Sequence, residues 1–287
     1  QHQDLLPYLV RRLLENGANT SFVHRIINEE ISVDELVADP AERMRATHPK
    51  PHPKIPLPAD IYLPQRKNSK GFNLDDRDAL ENLQLQLNHA LSMTWTASAL
   101  VNGHTLNGQE KEIKKPSDHR VTMGFVTLSN FDAVEQAMRS AHSARHYWDA
   151  AGAEKRAQLL EKTAQLLELN RTELVALCIK EAGKTLRDSI AELREAVDFC
   201  YYYAQQARRD FASPKIMPSV TGETNRLHLH GRGMFACISP WNFPLAIFTG
   251  QVAAALAAGN TVLAKPSSQT PIIAYRVIRI FHKAGVP

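Results

Sequence analysis

The chain has 287 residues, a formal net charge of +4, and a composition that is 44% hydrophobic and 22% charged. These proportions are typical of a soluble globular protein, and the length is enough for two domains or parts of two. Basic residues are spread along the chain without a long run, which does not indicate nucleic-acid binding. Three cysteines without CxxC spacing, Cys178, Cys200 and Cys237, argue against a disulfide framework or a zinc site and favour a reducing cytoplasm.

The first part of the chain combines a helical pattern with a proline-rich segment. Apolar residues at helical spacing predict a helix over residues 5–30; they are Leu6, Leu9, Val10, Leu13 and Leu14. Prolines then crowd residues 39–71 and predict an irregular linker in place of a long helix. We interpret His48 and His52, inside this segment, as part of a surface loop in preference to a metal-binding pair.

Helix, turn and strand signals follow the linker in that order. The pattern predicts a helix over about residues 75–99. Two hairpin signals come next, Asn102-Gly103 and Asn107-Gly108. The stretch "VTMGFVTL" then predicts a strand, which begins an alternation of strands and helices.

Four helices are predicted in the middle of the chain. Asn130 or Asp132 can cap the first, which runs to about Trp148. The second and third cover about residues 153–170 and 172–183. The fourth carries apolar residues three and four apart, which predicts one buried face: Ile190, Leu193, Val197, Cys200 and Ala204. Cys200 and Cys178, which lies on a similar stripe, are therefore predicted to belong to the core.

The last part of the chain contains a long uncharged stretch, with no Asp, Glu, Lys or Arg between Arg232 and Lys265. Before it, "RLHLH" predicts a half-exposed strand. Inside it, "MFACIS" and "TVLAK" predict buried strands, separated by a helix with Pro244 in its first turn and Gly259 at its end. A further helix covers about residues 270–285. This order predicts a parallel sheet covered by helices, and the pieces are shorter than the roughly 20 apolar residues of a membrane span.

Two polar side chains lie at the predicted carboxyl ends of these strands, where open parallel sheets bind ligands. They are Asn242 and Lys265. The amide of Asn242 can donate hydrogen bonds to an oxygen that becomes negative during a reaction, as an oxyanion hole requires. Lys265 can reach a nucleotide ribose or a phosphate. The residues alone leave two structural readings open, an Asn that braces a loop and a Lys that extends across apolar surface to solvent.

The stretch "ISPWNFPLAIFTGQVAAALAAGNTVLAKPSSQTP", with "EAGKT" and "AELREAVDF" upstream, resembles the aldehyde dehydrogenase superfamily. The resemblance covers roughly residues 100–287 and implies a Rossmann-like α/β domain, NAD as cofactor, and Asn242 as donor to the oxyanion of a thiohemiacetal. The cofactor-binding residues that it implies are Ile238, Ser239, Pro240, Trp241, Lys265, Ser267 and Ser268. Because Ser268 stands where many NAD-preferring members carry Glu, the resemblance leaves NADP open as well.

The N-terminal "YLVRRLLENGANTSFV" resembles the last helix of the (β/α)8 barrel of proline dehydrogenase. On a helix, Tyr8 and Arg12 share a face, as do Arg11 and Glu15. The resemblance implies that Arg11 and Arg12 bind the proline carboxylate, a task suited to paired guanidinium groups. It also implies that Tyr8 packs on the proline ring and that Glu15 orients an arginine. From the residues alone, the alternative interpretation remains that this is a basic helix face exposed to solvent.

The two resemblances occur in the order found in the bifunctional proline utilization A family, at the junction of its two enzymes. The predicted fold is α/β, with the end of a barrel (1–32), a proline-rich linker with one helix (33–100) and the N-terminal part of an aldehyde dehydrogenase domain (101–287). The resemblance implies FAD-dependent oxidation of L-proline to pyrroline-5-carboxylate. It further implies NAD-dependent oxidation of glutamate semialdehyde to glutamate.

The ends of the chain and its setting complete the prediction. Gln1 is not a Met and the chain stops just after Gly285, so we expect an internal fragment that is inactive alone, with the family's catalytic Cys and Glu beyond Pro287. We expect a cytoplasmic homo-oligomer at full length, without a resident metal or a membrane span, and DNA binding only through a separate N-terminal domain. The alternatives are another aldehyde dehydrogenase with an unrelated extension and a non-catalytic scaffold.

Overall fold

A computed structural model describes residues 2–18, 21–48, 52 and 54–287. The chain divides into two compact units, Gln1–Pro56 and Leu57–Pro287. Prolines 49, 51 and 53, which contributed to the linker prediction, lie outside the described residues. Across the part of the chain that is described, no helix is long and apolar enough to cross a membrane.

The first unit consists of short helices held by local caps. Its helices are α1 (His2–Gly17), α2 (Phe22–Ile27), α3 (Val33–Val37) and α4 (Pro40–Ala46). The prediction of one helix over residues 5–30 is wrong, because Ser21 starts a new helix by accepting a hydrogen bond from the backbone N–H of His24 at 3.3 Å. The predicted apolar stripe of α1 is exposed, and α2 to α4 contain no buried residue among those described.

The second unit begins with irregular chain, a 3-10 turn at Pro58–Asp60, and a mixed sheet. Its first elements are α5 (Arg77–Ser92), β1 (Trp95–Ser98), β2 (Leu100–Val101), β3 (His104–Thr105), β4 (Gln109–Lys115) and β5 (Asp118–Leu128). The predicted helix over 75–99 is too long, because Trp95 pairs with Gly124 and starts a strand parallel to β5. β4 was not predicted, since Ile113 is its only buried side chain. β5 contains the predicted strand.

The two hairpin signals have different outcomes. Asn102 and Gly103 both have positive φ angles, 51° and 76°, and join the antiparallel strands β2 and β3 in the predicted tight turn. Asn107-Gly108 leads instead into β4, so the second hairpin prediction is wrong. A Cβ at Gly108 would lie 2.3 Å from the carbonyl oxygen of Leu128, so glycine is required there by close approach of the backbones.

The four predicted helices are present, and the first three lie within two residues of their expected bounds. They are α6 (Phe131–Ala150), α7 (Gly152–Leu169), α8 (Arg171–Ala182) and α9 (Leu186–Phe211). Asn130 caps α6 by accepting from the N–H of Ala133 at 2.9 Å. Cys178 of α8 and Cys200 of α9 are fully buried, and the other residues of the α9 stripe are buried as well. This confirms the prediction that both cysteines belong to the core.

The end of the chain forms a parallel β-α-β-α unit after a short hairpin. Its elements are β6 (Lys215–Met217), β7 (Asn225–Leu227), β8 (Met234–Ile238), α10 (Ala246–Ala257), β9 (Thr261–Lys265) and α11 (Pro271–Ala284). β8 and β9 pair in parallel, as predicted. Only the start of "RLHLH" is strand. The prediction that β8 is buried on both faces is wrong: Phe235 is 43% exposed and its neighbour Ala236 is exposed as well, and successive side chains point to opposite faces of a sheet.

Two buried glutamates cap the helices of this unit from outside. Glu192 of α9 accepts from the N–H groups of Leu245 and Ala246 at 2.7 and 3.1 Å, through one carboxylate oxygen. Glu181 of α8 accepts from two N–H groups at the start of α11, at 2.8 and 2.9 Å. Neither α10 nor α11 has a side-chain cap of its own. The two carboxyl groups therefore satisfy amides that the helices leave unpaired, and the positive end of each helix dipole favours the ionised form of the carboxyl group beside it.

A buried guanidinium group provides the matching interaction at the other end of α10. Arg156 of α7 is 2% exposed and donates from Nε to the carbonyl of Ala257 at 3.0 Å. Its Nη1 donates to the carbonyl of Asp149 near the end of α6, at 2.8 Å. A cation at a helix carboxyl end is favourable for the same electrostatic reason. Helix α10 is thus held at both ends by opposite charges from neighbouring helices.

Replacing Glu181 by Gln tests the energetic cost of this burial. Burial raises the pKa of Glu181 to about 8 although its two amide donors lower it, against an ordinary value of 4.5. Between these two pKa values the folded state keeps a proton that the unfolded state has already lost. The wild-type chain therefore loses stability as pH rises from about 5 to 8. We expect the unfolding free energy of Glu181→Gln, relative to wild type, to increase by about 1 kcal/mol per pH unit over this interval.

Urea unfolding at pH 5, 6, 7 and 8 measures this difference, with Glu135→Gln as the control for an exposed carboxylate on α6. Parallel pH profiles for wild type and Glu181→Gln would show that the carboxyl group has the same proton affinity in both states.

Candidate active site

The carboxyl ends of β8 and β9 meet at one edge, where the predicted residues gather. The register pairs Ile238 with Lys265, and the N–H of Ser239 donates to the carbonyl of Lys265 at 3.2 Å. Ser239 is buried and Ser267 is half-buried. The exposed members of the predicted set are Ile238, Pro240, Trp241, Asn242, Lys265 and Ser268. The fold therefore brings the two predicted strand ends together and leaves the side chains of Asn242 and Lys265 exposed.

The segment that carries Asn242 is fixed on its helix side by charged residues that the sequence analysis did not single out. Glu192 binds the backbone at Leu245 and Ala246. Its other carboxylate oxygen lies 2.6 Å from Nζ of Lys184, and the same ammonium lies 4.2 Å from the centre of the Phe243 ring. Lys184 and Glu192 stand inside the two quoted family motifs, so the motifs located these residues without revealing what they contact.

The helix N-termini of this unit are not available to a phosphate. In many dinucleotide-binding folds a diphosphate occupies the free amides at the start of the first helix. Here Glu192 occupies that position on α10 and Glu181 occupies it on α11. The amides that a phosphate would bind are thus already bonded to side-chain oxygens. The edge can accept the nucleoside parts of a dinucleotide, but not its diphosphate at either helix start.

The remaining groups at the edge fit a nucleoside with a flat aromatic ring. Lys265 offers an exposed ammonium beside the hydroxyl groups of Ser267 and Ser268. Trp241, 53% exposed, offers apolar surface. Gln251 of α10 donates from Nε2 to the carbonyl of Ile238 at 3.2 Å. Its Oε1 is buried without a hydrogen-bond partner among the described residues, so an acceptor close to the strand end is left for a ligand or water.

None of the three cysteines is placed as a nucleophile. Cys178 and Cys200 are fully buried and Cys237, in β8, is 7% exposed. Burial raises the pKa of all three thiols. A reactive cysteine needs an accessible thiolate with a lowered pKa. Across the described residues, no group of three or more His, Cys, Asp or Glu side chains is arranged to hold a metal ion.

The predicted carboxylate-binding residues are exposed on α1. Arg12 Nη1 lies 2.9 Å from Oε2 of Glu15, and Arg12 Nε lies 3.4 Å from the Tyr8 hydroxyl. The hydrogen bond to Tyr8, followed by the charges of Tyr8 and Glu15, raises the pKa of Arg12, which keeps the guanidinium charged. Glu15 thus contacts Arg12, whereas the helical spacing placed it on the face of Arg11.

Two known families match separate parts of the chain, one at its start and one over the part that contains the β8–β9 edge. The model of the aldehyde dehydrogenase family matches residues 104–287. A proline dehydrogenase model matches residues 1–25. Since the first match covers well over half of the chain and the β8–β9 edge lies within it, the chain belongs to the aldehyde dehydrogenase family.

Relatives extend the match across the whole chain. The bifunctional protein PutA of Escherichia coli K12 is 45% identical over 292 residues, which cover 100% of this chain and 21% of that protein. A crystal structure of Bradyrhizobium japonicum PutA shares 42% identity at a TM-score of 0.77, covering 100% of this chain and 26% of that one. The Thermus 1-pyrroline-5-carboxylate dehydrogenase with bound NAD shares 29% identity at 0.73, covering 77% and 43%. The chain spans about a fifth of the PutA relatives, and the predicted resemblance is confirmed.

The burial of the cysteines predicts that the native chain reacts slowly with thiol reagents. We expect all three thiols to react with a disulfide reagent at least about 100-fold more slowly in buffer than in guanidinium chloride, because reaction requires opening of the core. A stopped-flow measurement of reagent absorbance gives both rates. A thiol that reacts in the native chain as fast as in denaturant would show that one cysteine is accessible and reopen its candidacy as a nucleophile.

Proposed function

We propose that the chain forms part of a bifunctional enzyme that oxidises L-proline to pyrroline-5-carboxylate and glutamate semialdehyde to glutamate. The observation that carries the proposal is the order of two matches on one chain, proline dehydrogenase at residues 1–25 and aldehyde dehydrogenase at 104–287. PutA relatives are similar to the chain throughout its length. That continuity favours this function over an aldehyde dehydrogenase with an unrelated extension.

In the aldehyde reaction, Asn242 is proposed to stabilise the oxygen of the reacting carbonyl. When a nucleophile adds to an aldehyde, the carbonyl oxygen gains negative charge. The amide of Asn242 is exposed at the strand edge, where it can donate a hydrogen bond to that oxygen. A donor held in place before the charge develops stabilises the transition state more than the ground state. The three buried cysteines are not proposed as the nucleophile.

The nicotinamide cofactor is proposed to lie along the same edge. NAD would supply the hydride acceptor when bound. Lys265 would bind the hydroxyl groups of the adenine ribose, with Ser267 and Ser268 beside it. The nicotinamide half would contact the exposed side chains of Ile238, Pro240 and Trp241 and the backbone at the buried Ser239. Ser268 neither binds ribose hydroxyls as strongly as Glu nor repels a 2′-phosphate, so this position permits NADP as well as NAD.

In the proline reaction, the exposed face of α1 is proposed to bind the substrate carboxylate. Arg11 and Arg12 would donate paired, charge-assisted hydrogen bonds to it. Tyr8 would pack on the proline ring. Glu15 already contacts Arg12 at 2.9 Å and would hold that guanidinium in place. FAD would supply the oxidant when bound to the rest of the barrel domain.

We also propose a domain organisation and a cellular setting for the full-length protein. We assign residues 1–32 to the barrel, 33–100 to the linker and 101–287 to the aldehyde dehydrogenase domain. A cytoplasmic setting is supported by three free cysteines, all buried. At full length we propose a homo-oligomer, with DNA binding only where a separate N-terminal domain is present. A non-catalytic scaffold is the alternative from another functional class.

Exchanging Arg12 for Met in the full-length gene product tests the proline half of the proposal. Loss of a charge-assisted hydrogen bond costs about 1.5–3 kcal/mol, so we expect the KM for proline to rise at least about tenfold. Oxidation of glutamate semialdehyde should be unchanged. Steady-state kinetics with both substrates measure this, with Arg187→Met, an exposed arginine of α9, as the matched control. Unchanged proline kinetics in Arg12→Met would support the alternative of an unrelated extension.

Replacing Asn242 by Ala tests the other half in the same protein. Removing one oxyanion donor typically lowers kcat about 10²–10³-fold, so we expect that loss for glutamate semialdehyde oxidation with proline oxidation intact. NADH formation and reduction of a flavin-coupled dye report the two reactions separately. An Asn242→Ala enzyme with full aldehyde activity would remove Asn242 from the mechanism. A wild-type protein inactive in both assays would favour the scaffold.

A further inference from the structure

Lys184 lies just after the end of α8, and its ammonium group contacts both Glu192 of α9 and Phe243 in the segment 242–246, which is called the Asn242 segment below. Lys184 follows Gly183, which ends α8, and its N–H donates to the carbonyl of Cys178 at 3.2 Å. The backbone before the side chain is therefore fixed. The side chain of Lys184 is 14% exposed and that of Glu192 is fully buried. A lysine this buried is uncommon unless it is paired, and its contacts account for its position.

Lys184 contacts the Asn242 segment in two ways. Its ammonium lies 4.2 Å from the ring centre of Phe243, the residue that directly follows Asn242, at a distance suited to cation–π attraction. It also lies 2.6 Å from Oε2 of Glu192. The other oxygen of that carboxylate accepts from the N–H groups of Leu245 and Ala246. One ammonium group therefore restrains residue 243 directly and residues 245–246 through Glu192.

This arrangement bears on catalysis because Asn242 is exposed and takes its direction from the backbone beside it. Without the ammonium, Glu192 would be a buried carboxylate without a counter-ion, which is strongly unfavourable. The carboxylate would then have to move or recruit water, and the backbone amides that it binds would move with it. A displacement of about 1 Å in a catalytic group can cost 10²-fold in rate. A small displacement of the Lys184 ammonium would therefore also displace Asn242, the proposed oxyanion donor.

We propose that Lys184 is a positioning residue for Asn242, acting through Glu192 and the ring of Phe243. The proposal rests on the proposed function and extends it to a residue that does not touch the substrate. It assigns the Lys184–Glu192 pair to the aldehyde half of the enzyme alone. The proline half should not depend on it.

A double-mutant cycle in the full-length gene product separates positioning from general stability. We expect Lys184→Met to lower kcat for glutamate semialdehyde about 10- to 100-fold, with the KM for NAD and the proline oxidation rate unchanged. In the Asn242→Ala background the same substitution should have little further effect, because the group that it positions is already absent. Lys184→Arg should recover part of the loss, since it keeps the charge.

Each other outcome of this cycle overturns the assignment. An equal loss of kcat in both backgrounds, or equal loss in Lys184→Arg and Lys184→Met, would make Lys184 a structural residue only. If Lys184→Met does not fold, Phe243→Leu replaces it in the cycle, since that variant keeps the ion pair of Lys184 and Glu192. Additive effects of Phe243→Leu and Asn242→Ala on kcat would again contradict the proposal. A wild-type protein that does not oxidise glutamate semialdehyde would overturn the proposed function and this role together, whereas additivity in an active enzyme would overturn this role alone.

Discussion

Buried charges at the ends of helices α10 and α11 organise the part of this chain that carries the candidate site. Glu192 binds the first amides of α10, Arg156 binds the carbonyl of its last residue, Ala257, and Glu181 binds the first amides of α11. Each charged group would be costly to bury alone. Each is stabilised because the partial charge of a helix end is of the opposite sign and its backbone groups need partners. Side chains of α7, α8 and α9 thereby fix the positions of α10 and α11.

This way of fixing the helices has a consequence for ligand binding. The amides that could hold a phosphate are already bonded to carboxylates, so the helix starts serve the structure and the strand ends are left for a ligand. Polar side chains at the β8–β9 edge are correspondingly exposed, with Asn242 and Lys265 among them. The same carboxylate that caps α10 meets Lys184 and, through it, Phe243. Structural support and the candidate chemistry therefore share a single buried ion pair.

Local rules predicted the elements whose signals lie within a few residues of one another. The cap at Asn130, the tight turn at Asn102-Gly103 and the buried stripe of α9 all follow from spacing, as does the parallel pairing of β8 and β9. β1 was missed because the helical pattern of α5 was extended through its four residues, and only its pairing with β5 shows where the helix ends. β4 was missed because nearly all its side chains are polar and exposed. Backbone pairing is what makes β4 a strand, whereas β1 also buries Trp95 and Ala97 on one face.

In the candidate site, likewise, the sequence indicated single residues but not their long-range contacts. Strand ends and motifs located Asn242 and Lys265, since a polar residue in an uncharged stretch is visible in the sequence. The contacts of Lys184 and Glu192 with the segment 242–246 were not visible. They join residues more than fifty positions apart, and an acidic residue on a helix is ordinarily solvated. Only the folded chain shows that this carboxylate points inward at another helix.

The exposed strand β8 has a consequence for how the chain behaves in solution. Among the described residues it pairs with β9 alone, and Phe235 and Ile238 are 43% and 65% exposed on it. Its second edge thus presents backbone donors and acceptors next to apolar side chains, which is the template on which another strand adds. An edge of this kind is a place where a further strand can add to the sheet, and the solubility of a chain depends on whether that edge is covered.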